Sequence, residues 1–262
     1  MKRYLGLLVV QVRMAIVMSL QYRLDFFADL FMSLFWTGSA LVPLMVLYSQ
    51  REQVAGWSWA EALLVVGFFT TLKGVLNGAI QPTLQNVVDH VRKGTLDFVL
   101  LKPADAQFMV STSRLELWRG TDVISGVIII AYALARLQLV PTPAQLVTAS
   151  VVLASSVAIL FSIWTMVVSL AFHFVKVDNL SYLFMSMFDI ARWPASIFRG
   201  PLAWVFTFVF PIAVMTTFPA LALLGRLEVG QCLWAATAGL VFLGASRWVW
   251  LRSIRRYTSA GG

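Results

Sequence analysis

The sequence predicts an all-α polytopic membrane protein with six transmembrane helices, and three observations carry that prediction. Of its 262 residues, 60% are hydrophobic and only 12% charged, with a mean hydropathy of +0.82, far from the balance of a soluble domain. The apolar residues come in unbroken runs such as Gly126 to Leu134, whereas a transmembrane β-barrel would alternate apolar and polar residues in strands of about ten. A hydrocarbon core of about 30 Å takes about 20 apolar residues in a helix, because each backbone N–H and C=O must be satisfied inside the segment. Six such helices with short connections use up this length.

Residues 1–27 predict an amphipathic helix in the membrane interface. Lys2 and Arg3 before an apolar run suggest a signal peptide, but Arg13 interrupts the run and no small-residue cleavage site follows. At helical period Leu5, Leu8, Val9, Val12, Ile16 and Leu20 form a stripe opposite Arg3, Gln11, Arg13 and Gln21. Span one is expected from about Phe31 to Tyr48 and span two from about Ala60 to Gln81, with Trp57 and Trp59 as aromatic anchors between them. The longest polar interval, residues 82–119, follows. Within it, Val91 to Pro103 predicts a short helix ending near Arg92 and Lys93 and stopped by Gly94. A second short element then runs from Leu96 to Leu101, stopped by Pro103. Span three covers about Asp122 to Leu139. Pro143 suits the first turn of span four, which ends near His173 and Lys176.

The apolar stretch from Leu180 to Leu224 is broken by Arg192, Pro194, Arg199, Gly200, Pro201, Pro211 and Pro219. Two spans here would make seven in all; one span plus a re-entrant hairpin would make six. Charge decides. The last span, about Val229 to Trp250, is followed by Arg252, Arg255 and Arg256, and the N-terminus is also basic, so both ends are expected in the cytoplasm and the span count is even. Six spans put Arg92, Lys93, Lys102, Arg114, Arg119 and Lys176 inside with the two basic termini. Only Arg51, Arg136, Arg192, Arg199 and Arg226 fall outside. Span five is then about Leu180 to Ile197. Residues 201–225 fold back from the outer face as a hairpin broken near Pro211, expected to line an outer vestibule because such backbone needs protein or water around it.

The net charge of +8 and pI of about 10.1 fit cytoplasmic loops facing anionic lipid rather than nucleic acid. Cys232 is the only cysteine and reads as a small packing residue. With His90 and His173 the only histidines and no H-E-x-x-H, a metalloprotease site has no motif; no serine lies within a turn of Lys73 to make a Ser/Lys hydrolase. Lys73 itself costs at least about 2.5 kcal/mol near the bilayer centre and should face protein or water, with Asn77 one turn on. It reads either as a polar lining of a translocation path or as a lysine snorkelling to the inner interface. Asp189 and Arg192, three apart, can pair on one helix face, and Asp25 and Asp29 suit a structural elbow at the start of span one.

Three motifs carry a resemblance to a known family. Tyr22-Arg23-Leu24-Asp25-Phe26 is similar to a YR-x-(D/N)-F approach to span one. Gly94-Thr95-Leu96-Asp97 followed by Leu100-Leu101-Lys102-Pro103 resembles a G-x-L-D-x-x-L-L-(K/R)-P signature. Arg192-Trp193-Pro194 with Phe210-Pro211 and Phe218-Pro219-Ala220 matches an R-(Y/W)-P and later F-x-x-P/P-A pattern. In order and spacing the chain resembles the ABC transporter type-2 permeases, the six-span membrane subunits of bacterial ABC exporters that work beside a separate ATPase.

The resemblance implies a cytoplasmic coupling helix between spans two and three that fits a groove on the ATPase, and a segment re-entering from outside before span six. The coupling residues would then be Val88, Asp89, Val91, Arg92, Lys93, Gly94, Leu96, Asp97, Phe98 and Leu101. The structural motif would comprise Tyr22, Arg23, Asp25, Arg192, Pro194, Pro211 and Pro219. It also implies alternating-access export of a hydrophobic or amphiphilic substrate across the cytoplasmic (inner) membrane. The partners would be an ABC ATPase subunit dimer and a second six-span permease half, identical or homologous. No G-x-x-x-x-G-K-(S/T) occurs, so ATP and Mg would be bound by the ATPase and no cofactor by this chain. A secondary transporter or channel would show inverted repeats. A membrane anchor would use Val91 to Pro103 to hold a cytoplasmic partner without transport.

Overall fold

A computed structural model describes residues 2–21, 23–172 and 178–255. Tyr22, His173, Lys176 and Arg256 lie outside it, as do the side chains of Leu20, Gln21, Arg23, Asp25 and Asp29.

Helix α1 (Lys2–Gln21) leads into α2 (Arg23–Gln50), which continues past Pro43. The strands β1 (Gln53–Val54) and β2 (Trp57–Ser58) form a two-residue hairpin. Its turn residues Ala55 and Gly56 both have positive φ, the conformation that suits the right-handed twist of the flanking strands. Ser58 then starts α3 (Trp59–Val75) with a reciprocal cap: its hydroxyl accepts from the Glu61 N–H while the Glu61 carboxylate accepts from the Ser58 N–H.

Span two does not stop near Gln81 as expected. A π turn (Leu76–Ile80) joins α3 to α4 (Gln81–Arg92), making one helical run from Trp59 to Arg92. The reason lies in Pro82, which has no N–H to give the Gly78 carbonyl and whose ring would crowd it in a regular helix. Widening the turn, with Gln81 N–H bonded to Leu76 O, makes room, and the Gly78 carbonyl accepts instead from Glu116 N–H at 2.7 Å. Arg92 ends the run in a Schellman motif: Gly94 (φ +65°) donates to Val91 O and Thr95 to His90 O.

Two short helices follow, α5 (Asp97–Leu100) and α6 (Ala106–Ser111), then a 3-10 turn (Leu117–Arg119) into α7 (Gly120–Arg136). Thr142 and Gln145 form a second capping box around Pro143 at the start of α8 (Pro143–Ser169), which a 3-10 turn (Leu170–Phe172) extends. Span five is not the uninterrupted helix expected over Leu180 to Ile197. It consists of α9 (Asp178–Phe188) and a 3-10 turn (Asp189–Arg192), then extended backbone at Trp193. Arg192 Nε donates to Asp189 O at 2.8 Å, tightening that turn, and Pro194 disfavours helical backbone in the residue before it. Helix α10 (Pro201–Trp204) with a π turn (Val205–Val209) meets a second π turn (Ala213–Thr217) with α11 (Phe218–Leu223) at a 70° bend around Pro211. The chain closes with α12 (Val229–Ile254).

Among the described residues five helices are long and apolar enough to cross a membrane, or six if the bent pair is one span. The geometry places both mouths of that pair at one end of the bundle. Trp57 Nε1 donates to Ser196 Oγ at 3.0 Å just before it, and Arg226 just after it pairs with Glu61 at 2.6 Å. Trp57 and Glu61 lie one turn apart. The pair therefore enters and leaves on the side where α3 begins. The broken stretch from α9 to Ser196 has a helical part that rises about 25 Å.

The opposite end carries the basic segments. Arg3 donates to Pro103 O, Asp105 N–H donates to the Tyr4 hydroxyl at 3.3 Å, and the Tyr4 and Phe108 rings meet edge-on at 4.9 Å. Arg247, near the end of α12, reaches the same segment. The N-terminus, residues 82–119 and the C-terminal end of α12 thus share one end, as the charge pattern requires.

At the centre, α3 packs along α7 and α8 along α12. The first contact depends on glycine: a Cβ on Gly126 would lie 2.6 Å from both Gly67 O and Thr71 N, and one on Gly74 2.8 Å from Val123 N. Residues 211–220 are buried, with Ser156 Oγ donating to Val214 O at 3.0 Å and Thr216 Oγ1 to Ala191 O at 2.7 Å. Protein surrounds this second arm of the hairpin, whereas Leu202, Trp204, Phe208 and Val209 on the first arm are exposed.

Candidate functional site

Two regions hold the residues singled out from the sequence. The first is the segment from Val88 to Leu101 at the basic end. The Schellman turn at Gly94 reverses the chain, and His90 Nδ1 lies 2.7 Å from Thr95 Oγ1 across that turn. Asp89, Arg92 and Lys93 are exposed on the last turn of α4, and α5 presents Phe98 and Leu101, 69% and 80% exposed. Not every residue of the motif is a surface residue. Leu96 is fully buried and Val88 nearly so, both on the inner side of the segment, while Val91 is half-buried and Asp97 starts α5. Leu96 and Val88 hold the segment; Phe98 and Leu101 are what it offers.

The segment is tied down beyond Pro103. Asp105 caps α6, accepting from Phe108 N–H at 3.0 Å, and Arg247 grips its carboxylate with both terminal nitrogens, at 3.1 and 2.5 Å. Burial works to raise the Asp105 pKa. The hydrogen bond from Arg247, that from Phe108 N–H and the Arg247 charge outweigh it and hold the carboxyl below its ordinary value. A groove of about 440 Å³ separates α1 from this segment, lined by Leu7, Gln11 and Met14 on one side and His90, Phe98 and Val99 on the other. Gln11, expected on the polar face of α1, turns toward the protein, whereas Leu5, Val9 and Ile16 are exposed.

The second region is intramembrane. Lys73 Nζ lies 3.8 Å from Asp189 Oδ1, and Arg192 takes the same oxygen at 3.2 Å; both cations lie within 6 Å of the Phe69 ring centre. On its other side Lys73, with Asn77, lines a cavity of about 290 Å³ between α2, α3 and α7. Ser33, Thr37, Thr70, Arg119 and Asp122 complete its polar wall, and the Ser33 hydroxyl donates to Asp122. Lys73 and Asn77 thus reach a common cavity. Arg119 and Asp122 were not singled out as lining, because their place at the start of α7 gives no hint that α2 and α3 lie opposite.

The remaining motif residues are structural in position. Arg192 pairs with Asp189, Pro194 follows the 3-10 turn that closes α9, Pro211 sits at the 70° bend and Pro219 in the first turn of α11. Arg23 and Asp25 lie in the first turn of α2. The ion pair between Arg226 and the buried Glu61, and the Asp105–Arg247 pair, escaped the sequence reading because each joins residues more than a hundred positions apart.

A family model described as "ABC-2 family transporter protein" matches residues 34–261. No curated protein and no solved structure matches the chain.

Proposed function

The chain belongs to the ABC-2 transporter family, whose members are membrane components of transporters, and on that premise we propose that it is the permease subunit of an ATP-driven ABC exporter. The observation that carries this reading is the presentation of Phe98 and Leu101 on α5, just beyond the capped end of a helix that runs unbroken into the membrane. An exposed apolar pair on an anchored segment is a docking knob, and the charged residues Asp89, Arg92, Lys93 and Asp97 around it set its register. The occupant is an ABC ATPase subunit dimer that binds ATP and Mg; a second permease half, identical or homologous, completes the pathway, and lipid surrounds it. Both termini face the cytoplasm and the membrane is the inner one.

The path of force follows from the backbone. A push on α5 reaches α4 through the Gly94 turn and α3 through the π turn, whose non-standard hydrogen bonds make it the natural place for α3 to shift. The Glu116 N–H to Gly78 O bond carries the same displacement to the start of α7. Lys73 and Asn77, just before and on that turn, then move relative to α2, changing the polar cavity they line. The hydrophobic or amphiphilic cargo passes along this side of the bundle.

The test is co-expression with candidate ABC ATPases. The wild-type chain should retain its ATPase through purification, and the double variant Phe98→Asp/Leu101→Asp, or charge reversal at Arg92, Lys93 and Asp97, should lose it with the permease still folded. Transport in reconstituted vesicles should require ATP hydrolysis. Substrate movement that continues without ATP and without any ATPase would instead establish a secondary transporter or channel.

A further inference from the structure

The cavity beside Lys73 has a chemistry that goes beyond a generic polar lining. Its wall carries two cations, Lys73 and Arg119, against one carboxylate, Asp122, which already accepts the Ser33 hydroxyl. Arg119 Nε is buried without a hydrogen-bond partner, and Lys73 holds its carboxylate partner only loosely, at 3.8 Å, in competition with Arg192. A guanidinium and an ammonium that face one carboxylate across a cavity leave positive charge unmatched, and an oxyanion supplies charge-assisted acceptors for it. Thr37 and Asn77 add hydroxyl and amide donors on the same wall, where the Thr70 hydroxyl, already donated to Val66 O, can only accept.

The rim is different. Met32 and Trp36, which also line the cavity, are exposed on the surface of α2 next to exposed Phe31 and Phe35. A volume of about 290 Å³ lies at the bottom of the range for small-molecule sites, so it holds a headgroup but not a whole amphiphile.

We propose that the cavity between α2, α3 and α7 binds the phosphate or carboxylate headgroup of an anionic amphiphile, its hydrocarbon chain lying outside along Met32 and Trp36. Lys73 and Arg119 are the headgroup contacts. The inference rests on the permease reading for its meaning as cargo recognition, but the binding itself does not.

The experiment uses the full chain in phosphatidylcholine nanodiscs, without ATPase or ATP, and radiolabelled dodecyl phosphate as probe. Saturable binding that dodecanol fails to displace is expected. Lys73→Gln and Arg119→Gln should each weaken it about tenfold or more, Lys73→Arg and Arg119→Lys should retain it, and Arg136→Gln, on an exposed side chain at the far end of α7, should leave it unchanged. Displacement by added phosphatidylglycerol identifies a resident bilayer lipid as the source; resistance to it identifies a distinct anionic cargo. Equal binding of dodecanol and dodecyl phosphate to the unaltered chain overturns the proposal without any variant, as does unchanged binding in folded Lys73→Gln and Arg119→Gln. Loss of the headgroup site with ATPase association intact would leave the exporter reading standing.

Discussion

Helices α2 and α3 are near equals in hydropathy and opposites in surroundings. Of the most apolar stretch in Leu30–Gln50, 11% is buried in the protein; in Trp59–Arg92 the figure is 72%. Helix α3 earns its central place by small residues: Gly67 and Gly74 let α7 approach to backbone contact, and Gly126 answers from the other side. Helix α2 instead turns Phe31, Phe35 and Trp36 outward, away from the rest of the chain. An apolar run marks a span, whereas the size of its side chains decides whether protein or lipid covers it.

The sharpest way to break this contrast is to fill the glycine contact. In Gly126→Val the new side chain meets Gly67 O and Thr71 N at 2.6 Å, backbone that cannot step aside. The expected loss is about 3 kcal/mol, the upper end of the usual overpacking cost, read as a fall in thermal stability and in monodisperse yield in detergent. The ion pair at the start of α3 comes next. Glu61→Ala removes both its capping role and its bond to Arg226, and since Arg226 is largely exposed the cost should be about 1–2 kcal/mol rather than that of a fully buried pair. An Arg226→Ala variant that matched Glu61→Ala in full would show that the cap contributes nothing.

A smaller effect is expected at the basic end. Asp105→Asn should cost about 1 kcal/mol at pH 7, because the carboxyl is partly exposed. The sign with pH follows from its lowered pKa: the stabilisation is fully present above the ordinary carboxylate value of about 4 and is lost as pH falls through the lower folded value. Wild type and Asp105→Asn should therefore converge in stability in acid, and a gap that persists there would mean that Arg247 acts through packing instead. The smallest effect belongs to α2. Phe35→Ala, on the exposed face, should change the stability of the single chain by less than about 0.5 kcal/mol, and a larger loss would show that α2 is already covered.

The sequence was most legible where the physics is local. Gly94 and Pro103 bracket the short elements expected of them, because a positive-φ residue ends a helix and a proline withholds the N–H that the next turn needs. Legibility failed at Pro82 and Pro194. Pro82 reads as a helix end, yet a distant N–H, from Glu116, satisfies the carbonyl it strands and lets the helix continue. Pro194 lies inside an apolar stretch long enough to cross the membrane, and only the tight 3-10 turn made by Asp189 and Arg192 shows where the helix gives out. The candidate cavity divided the same way. Lys73 announced itself by its cost in an apolar helix, while Arg119, Asp122 and Ser33 became its neighbours only once α2 and α7 were packed against α3.

The sequence by itself determined that the chain lives in a membrane, where most of its spans lie and which end carries the basic residues. These follow from the cost of exposing polar backbone to hydrocarbon and from the attraction of cations to anionic lipid, both of which act residue by residue. Tertiary structure alone decided which helix is central, which charges meet and what the cavity beside Lys73 can hold. Helix contacts in a membrane rest on close packing and on partners far apart in the chain, and neither hydropathy nor spacing encodes them.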